Sequence, residues 1–165
     1  MDHLDFLVDV FDEKGNVVEV KKRGEINRKN DLLKTVHLLV FDQSGGVYLS
    51  AISRQGDSLW KGTWGTTCAG IVRHGEDPYF AIARTMEREI GIVEETQYIG
   101  ENFFNFDGVK RFVTLFTCTS AKKMFPNQTN IERIALFSLE EVEKAIMENR
   151  CAPTLAACWK MYSEK

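Results

Sequence analysis

Gly70, Glu76, Arg84 and Glu89 are the residues whose types and spacing could do chemistry in this chain. A glycine ends an apolar run, and the two glutamates and the arginine follow it into a stretch with helical periodicity. At about 100° per residue, Thr85, Arg88 and Glu89 share one flank of that helix, with Ala81 a turn earlier and Glu87 pointing elsewhere. Carboxylates beside the backbone carbonyl of a glycine make a hard oxygen site, suited to magnesium and a diphosphate.

Local signals set the helix that must position these groups. Asp77 is an N-cap, Pro78 occupies the first helical position, where its missing N–H costs nothing, and Gly91 is the stop. Tyr79, Ile82, Ala83, Met86 and Ile90 recur at helical spacing and are expected to form its core stripe.

The remaining elements follow from alternation and turn chemistry. Phe6, Val8 and Val10 alternate ahead of the turn Asp12–Asn16, and Val17–Val20 return, which predicts an N-terminal hairpin over 5–22. The basic segments Lys21–Arg23 and Arg28–Asn30 read as a solvated connection, or else as a basic lip that meets phosphates. Strands are expected over 35–42, 47–53, 66–72, 97–106, 111–119 and 131–137, with Asp107-Gly108 as a hairpin turn. Trp60 and Trp64 flank a glycine turn and either pack or wall a site. Ser138–Glu141 is a capping box opening one helix, and Pro153 opens another. This order predicts an α/β protein, a mixed sheet with flanking helices, in a single domain over 1–165.

Composition narrows the class. The chain has 165 residues, 44% apolar and 27% charged, with a net charge of −3. That balance gives no electrostatic case for nucleic acid or an anionic membrane. No apolar run is long enough to span a bilayer, and the acidic start is unlike a signal peptide. The four cysteines show no CxxC pairing and read as reduced, buried thiols, so the expected compartment is the cytoplasm.

The stretch 70–92 resembles a Nudix box: Gly, five residues, Glu, seven residues, then Arg-Glu-U-x-Glu-Glu-x-Gly-U, with U aliphatic. Gly70, Glu76, Arg84, Met86, Glu89, Gly91 and Ile92 match in register. Thr85 and Arg88 depart, each standing where the family has a glutamate. The order of elements is also that of the Nudix α/β/α sandwich. Within the family, Val8–Gly15, the turn Trp60-Lys61-Gly62-Thr63-Trp64 and Cys151–Thr154 resemble the branch of isopentenyl-diphosphate isomerase and its hydrolase-like relatives. The places of the isomerase's cysteine, the small residue after it and its histidine are held by Ala69, Gly70 and Ile71, and Leu33 stands for another metal histidine. Cys68 is one residue early, which on a strand means the opposite face. These departures disfavour an isomerase.

The resemblance implies a hydrolase that cleaves the diphosphate of a nucleoside diphosphate derivative with magnesium or manganese. It assigns Gly70, Glu76 and Glu89 to the metal, Glu89, Arg84 and Glu76 to catalysis, and Arg54, Lys61 and Arg88 to the substrate. A homodimer through sheet edges or the N-terminal hairpin is a further implication. The two departures pull the other way. Unit charges about 4 Å apart at an effective dielectric of about 20 interact by roughly 4 kcal/mol, so an arginine in a ligand position opposes a divalent ion. Glu101, Asp107 and Glu132 are candidates to replace the missing base. The alternative is a Nudix-fold binding or regulatory protein in which Arg88 holds phosphate where a metal would sit.

Overall fold

β3 (Leu33–Phe41) is apolar on both faces, so it must lie in the middle of a sheet covered on both sides. The structure is a computed structural model and describes residues 5–165. Val36, Leu38 and Val40 are buried towards one layer and Leu39 towards the other, as a two-residue period requires. β8 (Val109–Thr119) pairs with β3 in parallel from Leu33 beside Arg111 to Phe41 beside Thr119. Alternation alone does not reveal that parallel pairing.

The other edge of β3 is shared by two strands. β6 (Cys68–Ile71) runs antiparallel beside Thr35–Leu38, while β4 (Val47–Ile52) meets β3 only at Val40 and Phe41. β4 then turns away to pair with β5 (Trp64–Gly65) and β9 (Ile131–Phe137). This divergence opens the sheet between β4 and β6. β7 (Gln97–Phe106) pairs with β8 at the far edge through Asp107-Gly108, whose φ values of 52° and 94° are those a two-residue hairpin needs.

Helices cover both faces. α1 (Pro78–Ile90) buries Ile82, Met86 and Ile90 against Val36, Leu38 and Phe116. α2 (Leu139–Met147) and α3 (Pro153–Ser163) bury Val142, Leu155, Cys158 and Trp159 against Leu39, Leu49, Val113 and Leu115. Each large apolar side chain so buried contributes about 1.5–3 kcal/mol. The result is the expected α/β/α sandwich. β1 (Leu7–Phe11) and β2 (Val17–Lys22) form a separate antiparallel hairpin that packs Val8 and Val10 on Leu33, with Ile71 alongside. Among the described residues no helix is long and apolar enough to cross a membrane.

Candidate functional site

The caps of α1 set the phase of the helix. The Asp77 carboxylate accepts the Phe80 amide at 2.8 Å, Pro78 starts the helix, and Gly91 ends it at φ 69°. The buried face differs from the expected stripe. Tyr79 is 60% exposed and Ala83 is exposed, whereas Ala81, Thr85 and Glu89 are buried along with Ile82, Met86 and Ile90. The reason is Gly70. A Cβ there would overlap the Thr85 hydroxyl and methyl, so the missing side chain lets α1 approach β6 closely and turns the Ala81–Thr85–Glu89 row inward. Thr85 was expected on an open flank, yet it is 1% exposed and its hydroxyl has no partner.

Glu76 and Arg84 form a two-pronged ion pair. Arg84 Nε and Nη2 donate to the two Glu76 oxygens at 2.8 and 2.9 Å, and Nη2 also donates to the Ile71 carbonyl at 3.1 Å. The Arg73 amide adds a third bond to Glu76 at 3.0 Å. Burial works to raise the Glu76 carboxyl, but these donors outweigh it and hold its pKa below the usual value. The pair fixes the loop between β6 and α1.

Glu89 is held differently. Its oxygens accept from Asn127 Nδ2 at 3.1 Å and Asn130 Nδ2 at 2.7 Å, and Arg88 Nε lies 3.5 Å away. The same loop binds the helix end through backbone bonds from Asn127 to Glu89 and from Phe125 to Ile90, each 2.8 Å. Arg88 therefore pairs with Glu89.

A cavity of about 220 Å³ lies where β4 and β6 diverge. Gly70, Arg84, Thr85, Arg88 and Glu89 line it on the α1 side, and Trp60 walls it while Trp64 packs against Phe137. Three proposed site residues stand outside the lining. Arg54 is exposed and paired with Glu132 at 3.5 Å, Lys61 is exposed on its turn, and Glu76 is turned to Arg84. In their place Arg23 and Arg28, from the segments first read as a solvated connection, reach the cavity.

Arg111 and His37 also line it, and the sequence reading missed both. Arg111 is 4% exposed and lies on the same strand face as the core residues Val113 and Leu115. A charge in phase with an apolar face was the available signal. His37 Nδ1 lies 2.9 Å from the Thr66 hydroxyl, which itself donates to the Cys68 carbonyl, and Nε2 lies 3.3 Å from the Thr35 hydroxyl. That chain suits a neutral imidazole, and burial with the neighbouring Arg111 charge brings its pKa down to about 4.

The sequence profile of the NUDIX domain matches residues 31–158. The chain belongs to the NUDIX domain family. It is 28% identical over 85 residues to Nudix hydrolase 3 of Arabidopsis thaliana, a match that covers 51% of this chain and 11% of that protein. Its fold is that of DR0079 from Deinococcus radiodurans, with a TM-score of 0.78, 16% identity and coverage of 93% and 99% of the two chains. The NUDIX domain of Shewanella oneidensis NrtR, solved with ADP ribose, superposes with a TM-score of 0.65 at 14% identity, over 86% of this chain and 94% of that one.

A divalent metal does not fit the donor set of this Nudix box. Among the described residues no group of three His, Cys, Asp or Glu side chains converges. Glu76 is committed to Arg84, and both Glu89 oxygens are taken by carboxamides with a guanidinium beside them. Glu101 accepts from Thr114, Glu132 pairs with Arg54, and neither they nor Asp107 line the cavity. A hard cation needs several free oxygens, and here they are bound by cations and amides.

Proposed function

We propose that this protein is a slow Nudix hydrolase of a nucleoside diphosphate derivative, with arginines doing the diphosphate binding that the family's motif gives to a metal. One observation carries the reading: Arg23, Arg28, Arg84, Arg88 and Arg111 line a single cavity in which Glu89 is the only carboxylate among the described residues. Guanidiniums bind phosphoryl oxygens in pairs and keep their charge at neutral pH. The cavity is smaller than the ~300–1,000 Å³ of pockets that enclose most of a drug-sized ligand. It suits a diphosphate and its immediate neighbour, with a planar group left at Leu59 and Trp60. ADP ribose, the ligand of the Shewanella domain, is a reasonable first compound to test.

In the proposed reaction a water oxygen bonds to one phosphorus, the bridging P–O bond breaks, and the water's protons pass to the leaving phosphoryl oxygen and to solvent. The arginines offset the charge that accumulates on the phosphoryl oxygens. No step is assigned to magnesium or manganese.

A second reading, binding without turnover, is favoured by the state of Glu89, whose two oxygens are already occupied. An isomerase reading gains little, because burial raises the Cys68 thiol well above its ordinary pKa. We retain the isomerase-related branch, a single domain over 1–165 and a homodimer as parts of the proposal. The test is to incubate the protein with ADP ribose and a panel of nucleoside diphosphate derivatives, with and without Mg2+ or Mn2+. Products are followed by 31P NMR and binding by calorimetry. Turnover above the blank supports the hydrolase, binding alone supports the second reading, and the absence of both overturns the site.

A further inference from the structure

Asp57 bridges two of the cavity's arginines from outside. Its Oδ2 lies 2.9 Å from Arg23 Nη2 and its Oδ1 3.4 Å from Arg28 Nη2, yet its side chain is 63% exposed. Arg111, the third guanidinium on this side, is 4% exposed and has no carboxylate partner among the described residues. It donates instead to the carbonyls of Asp31, Lys110 and Arg28. Arg28 Nε is also buried without a partner. Three cations thus surround one end of a cavity; Asp57 is the one carboxylate in direct ion-pair contact with any of them among the described residues, and Asp31, which also acts on Arg111, is itself paired with Lys21.

That arrangement is costly unless something negative completes it. A buried cation loses its water shell, and carbonyl dipoles replace only part of it. Like charges this close also repel, and burial together with Arg28 brings the Arg111 pKa down to about 10, which leaves it charged at neutral pH. A structural tie from β8 to the segment 28–31 explains the carbonyl bonds of Arg111. It does not explain why Arg23 and Arg28 face the same volume.

We propose that the Arg23–Arg28–Arg111 end of the cavity is an oxyanion site that takes a second phosphoryl group of the ligand, and that Asp57 is an internal carboxylate which this group displaces. The inference rests on reading the cavity as a diphosphate site, with the diphosphate itself at the α1 end beside Arg88. The ligand is then a compact phosphorylated molecule with anionic groups at both ends. Asp57 is suited to leave, since its side chain is largely exposed and its ion-pair partners among the described residues are the two arginines alone. Its departure exposes two guanidiniums whose separation a carboxylate already spans.

The experiment is a calorimetric titration of the full chain with inorganic phosphate, comparing wild type, Asp57→Asn, Arg28→Gln and Arg88→Gln. Among the described residues the polar partners of the Arg28 and Arg88 side chains are the carboxylates of Asp57 and Glu89, so neither variant removes a side-chain bond to the backbone. Asp57→Asn should tighten phosphate three- to tenfold, and Arg28→Gln should weaken it at least tenfold. Arg88→Gln should still bind one phosphate. If Arg88→Gln abolishes binding while Arg28→Gln does not, the anion sits at the α1 end alone; this inference fails and the diphosphate reading survives. If Asp57→Asn binds no tighter than wild type, or if phosphate does not bind wild type at tens of millimolar, the inference also fails.

Discussion

Thr85 packs against the bare backbone of Gly70, and the two residues together set the distance between α1 and β6. A glutamate at position 85 would bring a carboxylate into a place that is 1% exposed. Thr85 thus governs how the helix sits on the strand.

Gly70→Ala should destabilise the fold by about 1–3 kcal/mol through overpacking. Adding Thr85→Ala removes the hydroxyl and methyl that the new Cβ would strike, so the double variant should recover most of the loss. Urea unfolding of Gly70→Ala, Thr85→Ala and the double variant measures this coupling, and strictly additive losses would contradict the contact.

Glu76→Gln should cost about 1–3 kcal/mol, because Arg84 loses its charged partner while remaining partly buried. Glu76 has a lowered folded pKa, so its contribution is complete above its ordinary value of 4.5 and is lost as pH falls through the lower folded value. Unfolding curves between pH 5 and pH 3 should show a shallower acid decline in the variant than in wild type.

His37 makes a separate prediction at milder pH. Its pKa falls from 6.5 to about 4 on folding, so the unfolded chain takes up the proton first. Its contribution is complete above pH 6.5 and is lost on acidification, by about 1.4 kcal/mol per pH unit and roughly 3 kcal/mol in all by pH 4. His37→Gln should remove that slope. A His37 resonance, assigned by its loss in His37→Gln, that titrates near pH 6.5 in the folded protein would refute it.

Glu89→Gln should destabilise the protein by about 1–2 kcal/mol, since an amide cannot accept from Asn127 and Asn130 at both of its ends. It should change Mn2+ binding little, because wild type is expected to bind Mn2+ no tighter than millimolar. Arg88→Glu should tighten Mn2+ at least tenfold by placing a second carboxylate beside the first. Calorimetry or Mn2+ electron resonance distinguishes these outcomes.

What the sequence determined by itself was local. The caps at Asp77 and Gly91, the turn at Asp107-Gly108 and the capping box at Ser138 depend on neighbours within a few residues, and so does the alternation that makes β3 a central strand. The helix over 78–90 and the glycine-bearing strand before it were likewise legible. The tertiary structure decided which way those residues face. Thr85 turned inward because Gly70 admits the helix, and Glu89 was taken by Asn127 and Asn130 from a loop 38 and 41 residues downstream. Arg23, Arg28 and Arg111 converge only because β8 pairs in parallel with β3 and the N-terminal hairpin folds over Leu33. Contacts between residues so far apart depend on strand order and register, which periodicity does not encode.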